Sequence, residues 1–89
     1  MYTIRARSKV GKQFRQEIKR LKVEEKIDLL TSLQESPFNN QRKGQFYSYD
    51  LPDGHRILYS ILRKRKIVYI HVVGNHKVYD RYLNKNKRR

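Results

Sequence analysis

Two apolar runs, Ile57 to Leu62 and Ile67 to Val73, are separated only by Arg63-Lys64-Arg65-Lys66. Between them they carry Ile, Val, Leu and Tyr at consecutive rather than alternate positions. That is the pattern of strands covered on both faces, or nearly so. The four basic residues between them most simply form a hairpin loop. Paired in this way, the two runs are the centre of a sheet, and the rest of an 89-residue chain must supply its cover. No second domain fits in that length.

The N-terminal half supplies the cover. Tyr2, Ile4 and Ala6 alternate with Thr3, Arg5 and Arg7, as in a half-buried strand. Ser8 is placed to cap a following helix. Val10, Phe14, Ile18 and Leu21 then recur at helical spacing, and Val23, Ile27, Leu30 and Leu33 form a second stripe. The stripes do not share a phase. At about 100° per residue, the six-residue step from Leu21 to Ile27 displaces the second by roughly 120°. One straight helix would bury Glu25, Asp28 and Ser32, so the chain breaks near Lys22 and returns as a helical hairpin. Neither Gly nor Pro marks the break, which leaves a bent single helix as the alternative. Pro37 ends the second helix, because the residue before a proline is pushed out of the helical region.

From Phe38 to Gly44 the residues read as a polar loop, and Gln45 to Leu51 as an aromatic, alternating strand. Pro52-Asp53-Gly54 is a turn. Gly74-Asn75 breaks the last long strand, and Lys77 to Tyr82 begins a short strand or helix. The expected fold is therefore α+β, in the order β-α-α-β-β-β. A helical hairpin packs on an antiparallel-dominated sheet. Residues 1–83 are expected to form the single domain and 84–89 a frayed, basic C-terminal tail.

The charge is unevenly placed. The net charge is +14, yet Glu24, Glu25, Asp28 and Glu35 fall within twelve residues that hold one base, Lys26. The other 21 Lys and Arg face only four acids. Such a surface points first to nucleic acid, next to an acidic protein partner. A membrane surface ranks third, since no helix joins a basic face to bulky aromatic anchors. No apolar run reaches the roughly 18 residues that span a bilayer, and no apolar segment follows the N-terminal arginines as a signal peptide requires. Cysteine is absent, which excludes disulfides, thiolate metal sites and a cysteine nucleophile. The expectation is a cytoplasmic domain.

Chemistry gathers where the strands end. Metal binding has little support: His55, His71 and His76 lack ligand spacing, and His71 lies between Ile70 and Val72 on an apolar strand. Antiparallel pairing of the two central runs brings Arg56, at the start of one, beside His76, Lys77 and Tyr79, just past the end of the other. An arginine there can stabilise charge on a pentacoordinate phosphate. A histidine can move a proton near neutrality, and a tyrosine can act as acid or base, or stack on a nucleobase. The bland alternative is that Arg56 and Lys77 are solvated and Tyr79 packs on the sheet.

The block Asp53-Gly54-His55-Arg56-Ile57-Leu58-Tyr59, followed by Val68-Tyr69-Ile70-His71-Val72-Val73-Gly74-Asn75-His76-Lys77-Val78-Tyr79, resembles the RelE/ParE toxin superfamily. The likeness is to its RelE-like branch of mRNA interferases. It rests on a Gly-x-Arg-apolar-x-Tyr strand and a closing segment of apolar residues, Gly, a basic cluster and Tyr. Glu35-Ser36-Pro37 after the second helix is similar too, and the resemblance covers roughly residues 2 to 83. It implies a toxin of a prokaryotic type II toxin–antitoxin pair that cleaves mRNA, typically on the ribosome, by attack of the 2′-hydroxyl. No metal or cofactor would take part. By position, Arg56 would match the phosphate-stabilising arginine and Tyr79 the C-terminal catalytic tyrosine, with His76 suited to proton transfer. Ser48 and Asp50 stand where the best-known members carry catalytic lysines. Sister branches use a carboxylate as base, so Asp50 is a candidate. Lys43, Arg63, Lys77 and Arg81 are the expected RNA contacts. The expected partners are a cognate acidic antitoxin, mRNA and the ribosome. The alternatives are a ParE-like inhibitor of DNA gyrase, and a non-catalytic RNA-binding member of the same fold.

Overall fold

The computed structural model describes residues 1–87. The chain runs β1 (Thr3–Ala6), α1 (Ser8–Arg20), α2 (Val23–Glu35), a 3₁₀ turn (Pro37–Asn39), β2 (Gln41–Lys43), β3 (Phe46–Asp50), β4 (Arg56–Leu62), β5 (Ile67–Gly74) and α3 (His76–Lys87). The five strands form one sheet in the order β1-β5-β4-β3-β2. Only β1 and β5 pair parallel; the other ladders are antiparallel. This is an α+β fold with a helical hairpin on a mixed sheet, as the apolar pattern predicts.

The two apolar runs are the central strands. Ile57, Leu58, Tyr59 and Val68 are fully buried. Alternation along β4 divides the cover: Ile57 and Tyr59 join the core made with Phe14, Leu21, Leu29 and Leu33 of the helical hairpin. Leu58 faces the other way, into a smaller core of Phe46, Val72 and Tyr79, with Tyr82 and Leu83 against it. The second core belongs to α3, which the sequence pattern left undecided. The helix is started by Asn75, whose side-chain oxygen accepts the Val78 N–H at 3.1 Å. Gly74 fits beneath it, since a Cβ there would lie 3.2 Å from Val78. Residues 84–87 continue α3; Arg88 and Arg89, the end of the expected tail, lie outside the described residues.

The hairpin breaks where the stripes change phase, between Arg20 and Val23. Its stop signal is the Lys22 N–H, which donates to Glu25 Oε1 at 2.8 Å, the return half of a capping box. Three local expectations need correction. Ser8 is not the cap of α1: the helix starts from Arg7, whose carbonyl accepts the Gly11 N–H at 2.7 Å. On α2 the burial falls on Leu29 and Leu33, while Val23 and Ile27 are 71% and 58% exposed. The C-terminal end of α2 is the part tied to the N-terminal strand segment, through the Tyr2 N–H and the Gln34 carbonyl, and its buried residues lie in that half. Finally, the polar stretch from Phe38 to Gly44 holds an edge strand, β2. Asn40 orders its approach by donating to Tyr59 OH at 2.8 Å, and that hydroxyl donates to the Pro37 carbonyl at 2.6 Å.

Candidate functional site

The register sets Arg56 opposite Gly74 on β5 and opposite Asp50 on β3. This places the first residue of β4 directly beside the start of α3. The Arg56 side chain is half-buried between two partners. Its Nε donates to Asp50 Oδ1 at 3.0 Å, and its guanidinium carbon lies 5.2 Å from the centre of the Tyr79 ring. Charge pairing and cation–π contact together hold the fork in one orientation. The His76 ring lies parallel to that of Tyr79, with centroids 6.5 Å apart. Its side chain is 68% exposed, and its Nε2 lies 3.5 Å from Asp80 Oδ2. Arg56, His76, Tyr79 and Asp50 are thus brought together at one end of the central strands.

The four are not equally presented. Tyr79 is only 1% exposed, and its hydroxyl meets no hydrogen-bond partner among the described residues. The ring packs on the sheet within the small core, the arrangement read above as the bland alternative. Ser48 is also buried, with an unpartnered Oγ, so the position that resembles a family lysine is closed to solvent. Asp50 is exposed but engaged by Arg56. Among the candidate RNA contacts, Lys77 and Arg81 are exposed on α3, and Lys43 is half-buried on β2 opposite Phe46. Arg63 lies apart. It follows the far end of β4, roughly 20 Å from Arg56 at about 3.3 Å per residue, and stacks over Phe38 at 4.8 Å.

Behind the Arg56 turn lies a cluster that the sequence reading missed. Glu17 of α1 is 6% exposed, and its Oε2 lies 2.6 Å from His55 Nδ1 and 3.6 Å from Arg20. Asp53 joins at 3.5 Å from the same imidazole nitrogen. Burial, the largest single influence, pushes the Asp53 carboxyl up. The His55 N–H it accepts at 2.9 Å, with Glu17, His55 and Arg20 nearby, brings it below its ordinary value. Among the described residues, Glu17, Asp53 and His55 are the group whose ligand atoms come close enough to hold a metal ion. The charges already pair within the cluster, which ties α1 to the β3–β4 turn. A signal was present: Glu17 is a lone acid on the apolar face of a helix in a chain poor in acids.

His71 is satisfied, as expected of a histidine on an apolar strand. Ser60 Oγ lies 2.8 Å from Nε2 and Tyr82 OH 3.2 Å from Nδ1. Burial, and then the charge of Arg7, push its pKa below the ordinary histidine value.

No family model and no curated protein matches the chain. Its backbone does have solved counterparts. The toxin in the intact E. coli RelBE toxin–antitoxin complex superposes with a TM-score of 0.60 at 22% identity, over 84% of this chain and 96% of that one. A mutant of E. coli RelE in the free state gives 0.59 at 21% identity, over 94% and 96%. The RelBE2 toxin–antitoxin complex of Mycobacterium tuberculosis gives 0.50 at 19%, over 84% and 98%. The fold is that of the RelE-like toxins.

Proposed function

We propose that this protein is the toxin of a prokaryotic type II toxin–antitoxin pair, an endoribonuclease that cleaves ribosome-bound mRNA without a metal. The supporting observation is Arg56: an oriented guanidinium at a strand end, beside a solvent-facing His76, on a RelE-like fold with a net charge of +14. In this reading the RNA 2′-oxygen loses its proton and attacks the adjacent phosphorus. The 5′-oxygen leaves and takes up a proton, giving a 2′,3′-cyclic phosphate and a 5′-hydroxyl. Arg56 meets the charge that develops on the phosphate oxygens. His76 carries a proton, and Asp50 serves as base once phosphate has drawn Arg56 from it. Tyr79 orients Arg56 through its ring, and its phenol reaches RNA only when turned out of the small core. Lys43, Arg63, Lys77 and Arg81 bind backbone phosphates.

The partner that restrains such a toxin is an acidic, largely disordered antitoxin segment, attracted by the same basic surface. Neighbours from E. coli and M. tuberculosis were solved as toxin–antitoxin complexes. A second reading, a non-catalytic RNA-binding member of the fold, is favoured by the Asp50–Arg56 pair and the enclosed Tyr79 hydroxyl. Inducible expression with mapping of cellular mRNA 5′ ends, alongside a gyrase supercoiling assay, separates the possibilities. New 5′ ends within coding regions and unaffected gyrase are expected. Gyrase inhibition without new ends would indicate a ParE-like toxin, and RNA binding without either would indicate the binding module.

A further inference from the structure

The sheet face that carries Arg56 continues toward β1, and there it changes character. Opposite Leu58 on β4 is Val72, but opposite Tyr59 is Ile70, so His71 is an extra residue on β5, a bulge. A bulge re-aims a side chain. Here it sends the His71 ring to the Ser60 and Phe46 side of the sheet, with the Phe46 centroid 5.0 Å away. Tyr69 is on the same face, since its register partners are Ser60 on one side and Arg5 on the other. The result is a row across the sheet: Arg5, Tyr69, Ser60, with His71 alongside.

Tyr69 differs from the other aromatics of this face. Phe46 and Tyr82 pack with α3, whereas Tyr69 is half-exposed. Its ring meets His71 edge-on, with centroids 5.0 Å apart and planes at 68°. Among the described residues its hydroxyl has no hydrogen-bond partner. The ring is therefore held at its edge by a side chain that Ser60 and Tyr82 themselves fix. Arg5, on the neighbouring edge strand, and Arg7, just past its end, are both exposed. A pre-oriented aromatic ring bordered by guanidinium groups suits a nucleobase and its phosphates. Five residue steps along β5 separate Tyr69 from Gly74, the partner of Arg56, so the ring lies roughly 16 Å along the sheet from the candidate site, a span of a few nucleotides.

We propose that Tyr69, backed by His71 and bordered on its β1 side by Arg5 and Arg7, is a stacking subsite for one base of single-stranded RNA, on the same sheet face as Arg56. The proposal rests on the reading of this chain as an RNA-directed protein. It adds the group that positions the strand.

The test is fluorescence anisotropy with a labelled single-stranded RNA oligonucleotide, measured for wild type, Tyr69→Ala, Tyr69→Phe and Arg56→Ala, with thermal melts alongside. Tyr69→Ala should weaken binding on the order of tenfold or more. Tyr69→Phe, which keeps the ring, should bind like wild type and controls for folding. With an oligonucleotide of abasic sites, wild type and Tyr69→Ala should bind alike. Binding of the normal oligonucleotide by Tyr69→Ala within twofold of wild type would overturn the subsite, as would a wild-type protein that does not bind it. Loss of cleavage in Arg56→Ala beside unchanged binding in Tyr69→Ala would refute the subsite and leave the endonuclease reading standing. Tyr69-dependent binding by a protein that never cleaves would do the reverse.

Discussion

Arg56 keeps one side against the Asp50 carboxylate and one against the Tyr79 ring, and each contact predicts a different result. Asp50→Asn removes the competing charge. If Asp50 is the base, cleavage is abolished; if it only screens Arg56, cleavage is retained or faster. Asp50→Asn should melt within about 1 kcal/mol of wild type, because Asp50 is exposed. His55 behaves otherwise. His55→Ala strips the buried Glu17 carboxylate of its closest partner and leaves only the more distant Arg20. An expected loss of about 1–3 kcal/mol follows from a buried acceptor left poorly paired, and chemical denaturation measures it. His71 gives a pH signature. Its pKa is lower in the folded chain than in the unfolded one, so the folded state holds fewer protons. This contribution to stability is present above the ordinary histidine value and is lost as pH falls through the lowered one. His71→Gln should therefore flatten the decline in melting temperature between neutral and mildly acidic pH, and identical slopes in the two proteins would contradict this.

The helix break, the helical hairpin and the central strands were legible because each rests on periodicity. Two out-of-phase stripes cannot share a helix, and consecutive apolar residues cannot leave a strand face open. What was illegible depends on contacts distant in sequence. β2 carries no apolar pattern, and its approach is ordered by Asn40 reaching Tyr59 across 19 residues. α3 was ambiguous because His76 to Leu83 shows one apolar flank only once the sheet face beneath it is known. The site divides in the same way. The approach of Arg56 to the His76–Tyr79 segment follows from strand pairing, whereas the burial of Tyr79 follows from how α3 lies down, which spacing does not encode. Two substitutions address these elements. Glu25→Ala removes the one side-chain acceptor for the Lys22 N–H and should cost about 0.5–2 kcal/mol in denaturant melts. Gly74→Ala places a methyl 3.2 Å from Val78. It should destabilise by about 1 kcal/mol as α3 shifts to make room, and unchanged stability would mean that α3 is not seated as described.

The molecule as a whole presents a sheet with two unequal covers and, outside α2, a charge predominantly positive. With 21 bases outside the acidic stretch of α2, several phosphates should be neutralised together. About six contacts give a log–log salt slope near −4 to −5 for single-stranded RNA, at roughly −0.7 for each phosphate. A slope shallower than about −1.5 would mean that the basic surface is not the binding surface. The central claim, that Arg56 acts on a phosphate in a RelE-like RNA endonuclease, is tested most directly by cleavage of a ribosome-bound message. Wild type, Arg56→Ala and Arg56→Lys should be compared, each with its thermal melt. Wild type should cut, and Arg56→Ala should melt normally yet lose on the order of a hundredfold in rate. Arg56→Lys should fail to restore it, since an ammonium cannot reproduce the planar two-point contact with phosphate oxygens. An Arg56→Ala variant that melts normally and cuts at the wild-type rate would contradict the claim.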